Sequence, residues 1–69
     1  MNRIPKVVGG IYRVIDDSVC RRLGGKVGDL CVLIEDDGSD APVFNSEAWY
    51  SGCYINLYRL EFIGVMKYE

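Results

Sequence analysis

From Leu30 to Ile34 every position is apolar, with Gly28-Asp29 before the run and Glu35-Asp36-Asp37-Gly38 after it. A strand with one wet face alternates apolar and polar residues, so an unbroken run predicts a central strand covered on both faces. Leu30, Val32 and Ile34 point one way and Cys31 and Leu33 the other. Five residues between glycine-marked turns are too few for a stable helix. Asp36 to Asp40 has tight-turn chemistry, because glycine accepts positive φ and Asp and Ser bond to nearby backbone. Ala41-Pro42-Val43-Phe44 is then the returning strand. Pro42, which has no N–H for a ladder, belongs at its start or on an unpaired edge.

The flanking pattern predicts three more strands. Residues 1–9 are a lead-in ending at the Gly9-Gly10 bend, and Ile11-Tyr12-Arg13-Val14-Ile15 is a β-rich first strand. Ile11, Arg13 and Ile15 share one side; Tyr12 and Val14 share the other. A long loop follows from Asp16 to Gly28. Asp17 or Ser18 is placed to cap one helical turn through Leu23, ended by Gly24. Asn45 to Gly52 reads as a bend. Cys53-Tyr54-Ile55-Asn56-Leu57 alternates, with Cys53, Ile55 and Leu57 inward. Leu60 and Phe62 are the next inward pair, and the odd step from 57 to 60 predicts a 3₁₀ turn at Leu57–Leu60. Leu60 to Ile63 begins the last strand, which Val65 and Met66 extend past Gly64. The expected fold is all-β: one domain of five short strands over about 10–66, closing on themselves to remove open edges.

At 69 residues the chain is a single domain, and chains this short bury only about 60% of the surface they expose when unfolded. Cys20, Cys31 and Cys53 are odd in number and form no Cys-x-x-Cys pair, which favours reduced thiols over a disulfide framework. Cys31 and Cys53 fit small core positions. The N-terminus has no apolar signal core, and no run approaches the roughly 18 apolar residues of a membrane span. The expectation is a soluble, cytoplasmic protein. Net charge is −2, yet residues 1–28 carry six basic and two acidic groups and residues 29–69 two basic and eight acidic. Such asymmetry accompanies charged binding surfaces, unless the halves interleave and cancel.

The chain has no histidine, which removes the commonest general base and transition-metal ligand. No glycine-rich loop ends in Lys-Ser/Thr. Asp36-Asp37-Gly38-Ser39-Asp40 lacks the spacing and distal Glu of a calcium loop. No catalytic residue, metal site or cofactor is expected.

The long first loop and the Leu57–Leu60 turn together resemble a Src-homology-3-like (SH3-like) barrel over residues 10–64. The segment Gly24-Gly25-Lys26-Val27-Gly28-Asp29-Leu30 to Gly38, with Pro42, Phe44 and Tyr54-Ile55-Asn56-Leu57-Tyr58-Arg59-Leu60-Glu61, is similar to short bacterial and phage proteins with this barrel. The resemblance implies that fold and a free-standing accessory or host-modulating role. Peptide-binding members seat polyproline on an aromatic groove, which Tyr12, Trp49, Tyr54 and Tyr58 would imitate. The acidic loop of those members is reduced here to Asp16 and Asp17, and their Ala-Leu-Tyr-Asp-Tyr and Ser-Asn-Tyr motifs are absent. Lys26-Val27-Gly28 resembles the glycine turn of KOW-type ribosome and RNA-polymerase modules.

Three functional readings follow. The first is a non-enzymatic module binding a protein partner through Tyr12, Arg21, Arg22, Trp49, Tyr54 and Tyr58, since aromatics and arginine dominate interface energetics. In it Trp49 is an exposed anchor; the competing role is core cover with its indole N–H at the surface. The second is nucleic-acid binding through Arg13, Arg21, Arg22 and Lys26 beside Tyr12, against which the net negative charge weighs. Its inverse is DNA mimicry by Glu35, Asp36, Asp37 and Asp40. The third is a homo-oligomer or virion component paired through an edge strand or through Trp49.

Overall fold

The computed structural model describes residues 4–65 and is all-β, with two 3₁₀ turns and no longer helix among them. Strand β1 is Gly10–Val14, β2 Leu30–Glu35, β3 Val43–Asn45, β4 Cys53–Tyr54 and β5 Leu60–Val65; the 3₁₀ turns are Arg21–Leu23 and Leu57–Arg59. One antiparallel sheet has the order β4-β3-β2-β1-β5. β4 and β5 end this ladder and do not pair with each other, so the expected closure of the strands is not present in its hydrogen bonds.

Alternation decides which side chains form the core. Tyr12 and Val14 of β1, Cys31 and Leu33 of β2 and Phe44 of β3 face inward and are buried, joined by Cys20, Trp49, Ile55 and Leu60. Register aligns them: Tyr12 lies opposite Cys31 on one side and Phe62 on the other, and Leu33 lies opposite Phe44. The Tyr12 ring meets Phe44 and Phe62 edge-on, with centroids 5.1 Å and 5.2 Å away, the arrangement aromatic quadrupoles favour. Its hydroxyl donates to the Pro5 carbonyl at 2.6 Å and accepts the Val7 N–H at 3.1 Å, which pins the lead-in across the end of the sheet.

The other face of β2 departs from expectation. Leu30 and Ile34 are half-exposed and Val32 partly covered, because no second layer lies over that side among the described residues. Ile63 of β5 and Ile15 share this outward exposure. The unbroken apolar run therefore marks an apolar outer face rather than a strand buried on both sides.

Two boundaries also move, those of the β2–β3 connection and of β4. The β2–β3 connection is not tight. It runs from 36 to 42, with the Asp36 carboxylate accepting the Gly38 N–H and that of Asp37 the Ser39 N–H and hydroxyl. Pro42 is buried just before β3, where the absence of an N–H costs the ladder nothing, and its carbonyl accepts the Ile55 N–H. β4 is only two residues long, because Asn56 leaves the ladder to cap the second 3₁₀ turn, its side chain accepting the Tyr58 N–H. β5 runs on to Val65, with a bulge opposite Ile11/Tyr12; the expected extension to Met66 lies outside the described residues.

Candidate functional site

The long first loop carries the best candidate surface. Its 3₁₀ turn is capped by backbone rather than by the expected Asp17 or Ser18 side chain: the Asp17 carbonyl accepts the N–H groups of Cys20 and Arg21. Gly24 ends the turn with φ of 90°, the left-handed conformation that suits glycine. Gly25 is needed for space, since a Cβ there would lie 2.5 Å from the Cys20 sulfur.

Two latches fix the loop. On one side Arg59 donates to the Asp16 carboxylate and to the Ser18 hydroxyl at 2.8 Å, while its carbonyl accepts the N–H groups of Ile15 and Asp16. The Ser18 N–H and hydroxyl, with the Arg59 guanidinium, hold the Asp16 carboxyl below the usual carboxylate range. On the other side the Tyr50 N–H donates to the Leu23 carbonyl at 2.9 Å, and the Cys53 thiol makes a long contact of 3.6 Å to the Val19 carbonyl.

Between the loop and the approach to β4 lies an open cleft of about 450 Å³. Val19, Arg22 and Leu23 form one wall; Gly52, Cys53 and Tyr54 form most of the other. A second depression of about 470 Å³ adjoins it around Ser18 and Arg21, and Val19 and Arg22 belong to both.

The structure brings together three of the six sequence-selected residues. Arg22 and Tyr54 line this cleft and Arg21 the depression that adjoins it, and Tyr54 is 65% exposed. Tyr58, 64% exposed, lies apart from the lining, its ring 5.0 Å from the Arg59 guanidinium. Tyr12 and Trp49 are corrections. Tyr12 has no exposed surface, because strand alternation turns it inward. Trp49 is 6% exposed, and its indole N–H donates to the Asp29 carboxylate at 3.2 Å. Neither ring presents a surface to a partner in this fold.

Val19, Leu23, Gly52 and Cys53 are site residues that sequence reasoning did not select. The four-residue spacing of Val19 and Leu23 was their available signal. Tyr50, at 87% the most exposed aromatic among the described residues, also lies outside the sequence-selected set.

Ion pairing redistributes the charge. Lys6 pairs with Asp36 at 3.2 Å, Arg13 with Glu61 at 3.1 Å, Arg21 with Asp17 at 2.9 Å, and Arg59 with Asp16. Among the described residues Arg22 and Lys26 are the cations outside such pairs. No cluster of described His, Cys, Asp or Glu side chains is placed to hold a metal ion. The three cysteines are free. Burial raises all three thiol pKa values, that of Cys31 to about 12, so the thiols are overwhelmingly protonated at neutral pH. No helix among the described residues is long and apolar enough to cross a membrane. Comparison with protein-family models, with curated proteins and with solved structures returns no match.

Proposed function

We propose that this chain is a non-enzymatic interaction module of the SH3-like type that receives a protein partner in the cleft between its first loop and the approach to β4. The strand order, the long loop after β1 and the 3₁₀ turn before β5 support the fold reading. One observation carries the functional reading: Arg22, outside any described ion pair, lines the same cleft as the exposed Tyr54, each on its own wall. Arginine and tyrosine supply much of the energy of protein interfaces. Nucleic-acid binding draws less support, because Arg13 and Arg21 are already neutralised by Glu61 and Asp17. A second reading, self-association, is favoured by the half-exposed Leu30, Ile34 and Ile63 of the outer sheet face.

The test is affinity capture from bacterial lysate with and without nuclease, using wild type and the Arg22→Glu/Tyr54→Ala variant. The module reading expects a stoichiometric protein that survives nuclease and is lost from the variant. Equal capture by both proteins refutes the assignment to this cleft. Recovery of the chain alone, with a solution mass above that of a monomer, transfers the case to self-association.

A further inference from the structure

Resting on that reading, we propose that the partner segment received by the cleft is acidic, an extended stretch carrying Asp or Glu beside an apolar side chain.

The argument is charge complementarity. The cleft and its adjoining depression contain two arginines and no acidic side chain. Each carboxylate of the first loop is already committed elsewhere. Asp16 holds the Ser18 N–H and Arg59. Asp17 holds Arg21 at 2.9 Å. Asp29 accepts the Lys26 N–H at 3.0 Å and the Trp49 indole at 3.2 Å. A basic ligand would thus find no free carboxylate and would face the positive charge of Arg22. A carboxylate on the ligand would find a guanidinium whose planar donor fork suits it in two-point geometry. Val19, Leu23 and Tyr54 supply the apolar contact beside it.

Two features favour a peptide over a phosphate backbone. Nucleic-acid affinity grows with the number of phosphates neutralised, and Arg22 is the single cation of the cleft outside a described ion pair. The apolar wall, moreover, would be wasted on a polyanion.

The test selects random nonapeptides displayed on phage against the immobilised full-length chain. Fluorescein-labelled selected peptides are then measured by anisotropy on wild type, Arg22→Gln, Arg22→Lys and Tyr54→Ala. Both positions are exposed, and unchanged melting temperatures confirm that each variant folds. The proposal expects selected peptides of net negative charge. Arg22→Gln should weaken them by about 10- to 100-fold, the usual worth of a charged hydrogen bond, with partial recovery in Arg22→Lys. Replacing the peptide's Glu by Gln should cost the same on wild type and little on Arg22→Gln. Neutral or basic peptides that depend on Tyr54 but not on Arg22 would overturn the acidic preference and leave the interaction module standing. Absence of any enriched peptide, or binding indifferent to both residues, overturns the cleft itself and the acidic preference with it. Tighter, Arg22-dependent binding of a labelled single-stranded oligonucleotide than of any selected peptide also overturns the proposal.

Discussion

Truncating Trp49 and Tyr54 to alanine separates the structural aromatic from the surface one. Trp49 is enclosed beside Asp29 and the 46–50 turn, where the Trp49 N–H donates to the Ser46 carbonyl at 3.1 Å. Its removal deletes a buried aromatic and leaves the Asp29 carboxylate without its indole donor; truncations of this class cost about 3–5 kcal/mol. Marginal stability of roughly 0.05–0.15 kcal/mol per residue gives a domain of this length about 3–10 kcal/mol in total. Trp49→Ala therefore removes about 30% or more of the whole, a fall in Tm of at least about 12 °C at 4–8 °C per kcal/mol. Tyr54 is mostly in solvent, and its truncation should stay within about 0.5 kcal/mol. Thermal melts followed by far-UV circular dichroism, with urea titrations to check that the m-value is unchanged, make the comparison. A Trp49→Ala protein melting within about 4 °C of wild type would refute the placement of the indole in the core. A Tyr54→Ala protein losing as much as Trp49→Ala would refute the description of the β4 edge.

Other outcomes follow from single contacts. Tyr12→Phe keeps both edge-on ring contacts but leaves the Pro5 carbonyl and Val7 N–H without their partner, and should cost about 1–2 kcal/mol by urea denaturation; a neutral result would show that water replaces the hydroxyl. Gly25→Ala should lower the Tm, since the new Cβ meets both the Cys20 sulfur and the Cys20 backbone carbonyl; an unchanged Tm would mean that the loop yields freely there. In the native protein at pH 8, Ellman's reagent should find Cys53 before the fully buried Cys20 and Cys31, and all three in denaturant; prompt reaction of Cys31 would contradict its enclosure. Asp16, Asp36 and Asp37 have carboxyl groups held below their ordinary pKa by nearby Ser18, Gly38 and Ser39 donors, among others. Their contribution is complete above about pH 5 and fades as pH falls through the lowered values. The stability gap between wild type and Asp16→Asn should therefore shrink on acidification, and a gap that widens would reverse the assignment.

The strands were legible because alternation is a strong signal in β1 and β5, where Tyr12, Val14, Leu60 and Phe62 all turn to the core side. The 3₁₀ turn at 57–59 was legible from a single odd step in the apolar pattern. The run Leu30–Ile34 misled, because an apolar side chain on a strand does not report whether a second layer exists to cover it. Trp49 and Tyr12 misled for the converse reason: an amphipathic ring suits either a surface or a buried site with a hydrogen-bond partner, and Asp29 and Pro5 supply those partners from distant or unpatterned positions. The cleft was half legible. Arg21 and Arg22 stood out by charge and Tyr54 by type, but the pairing of Arg21 with Asp17, the latch from Arg59 and the approach of Val19 to Cys53 arise only when the chain folds.

The hydrogen bond from Tyr50 to the Leu23 carbonyl has a consequence for how the cleft meets a guest. It ties the two walls together, and the loop is anchored again at its other end by Arg59. The mouth therefore has a set width, and most of the ordering entropy of the loop is spent during folding rather than at the moment of contact. A guest that fits would associate without waiting for a rearrangement, and one too broad would gain nothing from lingering. On the proposed reading, the cleft would act as a gauge rather than as a grip.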